Sequence, residues 1–221
     1  MRLHTDRMAA IFALALMLFS GHLVGQTTYT LQIVDRPLTA SCSGERNPNS
    51  VIDTIMLHFI SEVAENKTNP YSLEGIIGIF EKYEISAHYL IDRQGKVFRL
   101  VDEKRAAYHA GLGMLDWKPE RKNLLNHFSI GIEMMAMGTQ EEMKPYLTED
   151  EYKTMQAAHP EWFGYTGAQY AAVAALISDI RSRHPLILHD RQHIVGHEEY
   201  AKTRRTDPGQ LFDYQRINLQ R

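Results

Sequence analysis

The sequence predicts an α/β fold, a single domain in which a mixed central β-sheet is covered by α-helices. Three observations predict it. Residues 52–59 form an apolar, β-branched run of the kind found in a strand at the centre of a sheet. Leu73, Ile76, Ile77 and Phe80 follow the i, i+3, i+4, i+7 spacing of a helix with one apolar stripe. Strand-like and helix-like segments then alternate in the order βαββ-loop-βαβ, which suits a mixed sheet with helices over it.

At 221 residues, 44% hydrophobic and 23% charged, the chain is long enough for one well-buried domain. A formal net charge of −3 provides no basic surface, so no nucleic-acid partner is expected. Histidine occurs 11 times, which makes chance histidine clusters common. Cys42 is the only cysteine and excludes an intramolecular disulfide.

Arg2 and Arg7 precede an apolar run over residues 8–19, long enough for a signal-peptide core and short for a bilayer span. Residues 1–25 are read as a signal peptide cleaved after Gly25, although Leu23 departs from the small residue expected three positions before the cut. An uncleaved anchor is the alternative. Either way the protein is exported, to the periplasm or the extracellular space, and cleavage leaves no membrane span. Residues 26–50 alternate weakly at Tyr29, Leu31 and Ile33, then turn polar. They are read as a leader segment into a domain spanning 51–221.

Pro70 and Ser72 open the first helix. Residues 88–91 and 96–101 read as strands joined through Asp92-Arg93-Gln94-Gly95, whose glycine marks a hairpin. Residues 102–126 read as loop. Residues 129–133 form another strand, with Ile130 and Ile132 on one face and Gly131 and Glu133 on the other. Gly131 is expected to leave room for a substrate to approach Glu133. Thr148 with Glu151, and Thr166 with Gln169, have capping-box spacing; the second opens a helix that buries Tyr170, Val173, Ala174, Ile177 and Ile180. Residues 193–196 form the last strand.

Candidate chemistry gathers at strand ends. Ile194-Val195-Gly196-His197 ends one strand in histidine, and the following loop returns through Asp207, before Pro208-Gly209. Thr54-Ile55-Met56-Leu57-His58 ends a second strand the same way. Two imidazoles and one carboxylate, with one position open, form a ligand set for catalytic zinc. Glu133 has the chemistry of a general base that moves a proton from water to a leaving nitrogen. Arg205 has that of a cation beside an oxyanion. Each has a plainer reading: His58 as a core histidine, His197 with Asp207 as a structural contact, Glu133 as a salt-bridge partner, Arg205 as a solvated charge. His189, His193 and His197 form a four-residue ladder that spans about 13 Å in a strand, too far to share one ion.

The sequence resembles the zinc-dependent N-acetylmuramoyl-L-alanine amidases of the type-2 amidase family, relatives of the peptidoglycan recognition proteins. The matching stretches are Met56-Leu57-His58, Ser86-Ala87-His88-Tyr89-Leu90-Ile91, Ala107-Tyr108-His109-Ala110-Gly111, Ser129-Ile130-Gly131-Ile132-Glu133, Val195-Gly196-His197 and Thr206-Asp207-Pro208-Gly209. They occur in family order over roughly residues 50–214. The resemblance implies a zinc ion (Zn2+) held by His58, His197 and Asp207, with Glu133 as general base. It implies hydrolysis of the amide between N-acetylmuramic acid and L-alanine, in peptidoglycan or muropeptides, by a monomer. Arg205 stands where the family usually has lysine; arginine keeps the charge but cannot yield a proton. Tyr108 replaces the tryptophan of the family's Trp-His-Ala-Gly stretch, and Tyr108 and His109 are expected on a substrate-contacting loop. The alternative is a non-catalytic peptidoglycan-binding module of the same fold; such relatives typically lose a zinc ligand, and this chain keeps all three. A zinc peptidase is disfavoured because no His-Glu-x-x-His signature is present.

Overall fold

A computed structural model describes residues 29–220, and the expected signal peptide at residues 1–25 lies outside the described residues. In chain order the elements are β1 (Ile33–Asp35), β2 (Ser43–Glu45), β3 (Thr54–Ile60), α1 (Leu73–Tyr83), β4 (Tyr89–Ile91), β5 (Val97–Arg99) and β6 (Arg105–Ala107). There follow β7 (Ser129–Met135), α2 (Gln140–Met143), α3 (Glu149–Ala158), α4 (Gly167–Arg183), β8 (Ile194–Gly196) and α5 (His197–Tyr200). The main sheet has the order β1-β5-β4-β7-β3-β8. It is mixed as expected: β3, β7, β8 and β4 are mutually parallel, and the β4–β5 hairpin introduces the antiparallel pair. Gly95 closes that hairpin at φ 81°, a conformation open to glycine.

The sheet buries both faces, which is why β3 and β7 read as near-continuous apolar runs. Ile55 and Leu57 of β3 and Ile130 and Ile132 of β7 pack with Val173, Ile177 and Ile180 of α4 in one cluster. On the other face, Leu90 and Phe98 pack with Ile76, Ile77 and Phe80 of α1. Met56 and Val195 lie under Leu115 and Leu125 of the long connection. The helices start where their caps allow: Ser72 accepts from the Gly75 amide, and both expected capping boxes form. No helix among the described residues is long and apolar enough to cross a membrane.

The leader reading of residues 26–50 is corrected over the described part, residues 29–50. β1 adds to the sheet edge in parallel with β5, and β2 pairs antiparallel with β6 inside the stretch expected as loop. Cys42 is fully buried between them. β1 escaped notice because all three of its residues are exposed, as an edge strand permits. Arg46 then ties the segment down: its guanidinium donates to the carbonyls of Glu103, Arg105, Asn126, His127 and Ser129 at 2.6–3.3 Å.

Candidate active site

The parallel strands β3, β7 and β8 deliver their carboxyl ends to one edge, where open α/β sheets place their sites. The register fixes which side chains meet. His58 is the direct partner of Glu133, and Leu57 is the partner of Gly196, so His197 follows beside His58. His197 opens the short α5, which the strand pattern alone did not predict. The rings of His58 and His197 lie 4.7 Å apart at 75°.

Asp207 enters from the returning loop. Its Oδ2 lies 2.7 Å from His58 Nδ1 and 3.1 Å from His197 Nδ1. One ligand atom from each residue falls within 4.8 Å of the others. The loop is held by the Glu198 amide on the Asp207 carbonyl, by Tyr165 Oη on the Pro208 carbonyl, and by the Gln210 amide on Glu142 Oε1. Glu142 is buried and also closes a capping box with Thr139. None of these supports was anticipated. The Thr139–Glu142 capping box was not among those read from the sequence, and neither was the second contact of Glu142, to Gln210.

The electrostatics leave the set ready for a cation. Burial lowers His58 to a pKa of about 4, with the Asp207 contact opposing in part. Near neutral pH His58 is therefore a neutral imidazole, the protonation a divalent metal requires of it. His197 Nε2 lies 2.9 Å from the Ala110 carbonyl and donates to it. In the neutral form of the ring its Nδ1 is then a lone pair aimed at an acceptor-only carboxylate oxygen. Such a pair is unfavourable without a cation between its members, and the donor set suits zinc.

Glu133 lies half-buried beside His58, with Oε2 buried and without a partner among the described residues. Burial and then the Asp207 charge push its carboxyl well above the ordinary value, and Arg205 opposes them. Arg205 is exposed, within electrostatic reach of both His58 and Glu133. Its neighbour Arg204 instead donates to the carbonyls of Ala110 and Leu112.

One expectation is corrected. Gly131 does not open a path for substrate to Glu133: the His109 ring occupies that space, and a Cβ on Gly131 would sit 2.6 Å from His109 Cγ. His109 itself is buried against His58 and Ser129. Tyr108 is 38% exposed, with its hydroxyl lying against Gly44 of β2. The histidine ladder separates as expected. His189 donates to the Ile217 carbonyl, and His193 pairs with Asp190.

Fold and side-chain set together define an α/β hydrolytic enzyme, with its acid–base groups collected at the carboxyl edge of the sheet. The sequence profile described as N-acetylmuramoyl-L-alanine amidase matches residues 47–210, and the chain belongs to that family. Among relatives, the 1,6-anhydro-N-acetylmuramyl-L-alanine amidase AmpD of Haemophilus influenzae is 28% identical over 189 residues, spanning 78% of this chain and 84% of that one. The AmpD of Enterobacter cloacae is 31% identical over 134 residues, but the match spans 61% of this chain and 56% of the relative. A solved AmpD selenomethionine derivative superposes with a TM-score of 0.59 at 23% identity, covering 86% of this chain and 95% of its own. The Escherichia coli amidase AmiD, solved with an anhydro-muramyl peptide substrate, gives 0.54 at 23% identity, covering 79% of this chain and 60% of its own. These two likenesses establish the fold.

Proposed function

We propose that this amidase is zinc-dependent and cleaves the amide between the lactyl group of N-acetylmuramic acid and the L-alanine of the stem peptide. The observation that carries this reading is the convergence of His58 Nδ1, His197 Nδ1 and Asp207 Oδ2, beside a Glu133 carboxyl whose buried Oε2 has no partner among the described residues. His58, His197 and Asp207 would hold the metal. When bound, zinc would supply the Lewis acidity that polarises a carbonyl and makes water nucleophilic near neutral pH. Glu133 takes the proton of the attacking water and delivers it to the leaving nitrogen. A carboxyl raised by burial suits both halves of that transfer. Arg205, exposed at the rim, offers a positive charge to the carbonyl oxygen as it becomes an oxyanion.

The names of the AmpD relatives support anhydro-muropeptides as substrates of this chain as well. The apolar run at residues 8–19 supports export, placing the enzyme in the periplasm or outside the cell, and N-terminal sequencing near Gln26 tests it. The activity is tested by digesting purified sacculi and anhydro-muropeptides with and without a chelator, then weighing the products. Free stem peptides beginning with L-alanine, lost on chelation and restored by zinc, are expected. Cleavage that survives complete metal removal overturns the zinc reading.

A further inference from the structure

Both histidines at the proposed zinc site are backed by one short segment. Asn126 Oδ1 accepts the backbone amides of His109, at 3.2 Å, and Ala110, at 2.8 Å. From this clamped pair the His109 side chain reaches His58 and the Ala110 carbonyl reaches His197. The His109 ring has a fixed seat, pressed on the bare backbone of Gly131.

Proton bookkeeping runs inward from the protein. Ser129 Oγ lies 2.6 Å from the Leu125 carbonyl and donates its only proton there. The same oxygen lies 3.1 Å from His109 Nε2 and is left to accept, so His109 Nε2 carries an N–H. His109 is buried and, among the described residues, its ring nitrogens touch only His58 and this hydroxyl, so a charge on it would be uncompensated. The neutral ring therefore has a bare Nδ1, which lies 3.1 Å from His58 Nε2 and accepts from it. With its proton on Nε2, His58 turns the lone pair of Nδ1 towards Asp207.

We propose that His109 and Ser129 are positioning residues for His58, forming a relay from the Leu125 carbonyl that fixes the metal-binding tautomer, while the Ala110 carbonyl fixes that of His197. The inference rests on the zinc reading above. It assigns His109 to the support of the site rather than to substrate, and it explains why residue 131 carries no side chain. Partners of this kind set ring orientation and ligand basicity, and their loss weakens metal binding by about 10–100-fold.

The test is zinc affinity of the full chain, read by competition with a chromophoric chelator, alongside circular dichroism of each metal-free variant. His109→Leu fills much of the ring's space but cannot accept a proton, and should weaken zinc by about 10–100-fold. His109→Asn, whose amide oxygen can stand in for Nδ1, should recover most of that loss. Ser129→Ala, which removes a single oxygen, should shift affinity in the same direction by less. Nitrogen-15 histidine spectra of the zinc-loaded wild-type chain supply a readout that needs no variant to fold: His109 should show a protonated Nε2 and a bare Nδ1. The opposite tautomer, or His109→Leu binding zinc as tightly as wild type, overturns the relay alone. A wild-type chain that binds no zinc overturns the relay and the zinc reading together.

Discussion

Gly131→Ala is the change that most sharply probes how the site is built. The residue lies on β7, two positions before Glu133, and its backbone bears directly on His109. An added Cβ would meet His109 Cγ at 2.6 Å and both Cδ2 and Nδ1 at 2.8 Å. Real Cβ atoms do not approach that closely, so the ring or the strand must move. Neither moves freely, because the ring is hydrogen-bonded at both nitrogens and Gly131 is paired in the sheet with Met56. Overpacking of this kind costs about 1–3 kcal/mol. At about 2–4 °C per kcal/mol for a domain of this size, the metal-free chain should lose about 2–12 °C in Tm. Zinc affinity should fall as well, since displacing His109 breaks its contact with His58. A double-mutant cycle isolates the cause: His109→Ser makes room for the methyl group, so Gly131→Ala should cost much less on that background. Full additivity of the two changes, or an unaltered Tm and zinc affinity in Gly131→Ala, would refute the reasoning.

Three further outcomes follow from particular contacts. Because Arg205 is exposed, Arg205→Ala should lower kcat by less than the ~10²–10³-fold typical of an oxyanion donor inside a dry site. Arg205→Lys should retain most activity, and a larger loss in steady-state assays would point to a bidentate contact. Arg46→Ala strips donors from five backbone carbonyls and should cost at least about 2 kcal/mol in denaturant unfolding; an unchanged midpoint contradicts the staple. Burial opposes the Glu103 charge, but hydrogen bonds from Arg183, Tyr89 and His184 outweigh it and lower the carboxyl from 4.5 to about 2. A carboxyl depressed on folding stabilises the native state above its unfolded pKa, and that stability is lost as pH falls through the folded value. Glu103→Gln should therefore flatten the acid-side loss between about pH 4.5 and about pH 2, and an unaltered slope in unfolding midpoints would contradict the pairing.

What the sequence could and could not show follows from where each interaction sits along the chain. β3, β7, α1 and α4 were legible because burial imposes period-two or period-3.6 apolar patterns on contiguous residues. His58, Glu133 and His197 were legible as strand-end residues, and the register of three parallel strands brings them together. β1 and β2 were not, since short exposed or polar strands carry no such pattern. The supports of the site were also hidden. Asn126 to His109, Glu142 to Gln210 and Arg46 to five carbonyls are contacts between residues 17 to 83 positions apart, made to backbone atoms that every residue possesses. Gly131 shows the same limit from the other side. Its lack of a side chain was plain, but what fills the space was not, and His109 rather than substrate proved to be the occupant.

The most direct test of the zinc-and-carboxylate account is to measure bound zinc and turnover together in Glu133→Gln. The account predicts one zinc per chain, as in wild type, because Glu133 is not among the three converging ligands. It also predicts turnover of anhydro-muropeptide reduced by about 10²–10⁴-fold, the loss expected when a general base is removed. Full activity in Glu133→Gln would show that the base lies elsewhere, and loss of the metal along with the activity would show that Glu133 is a ligand rather than a base.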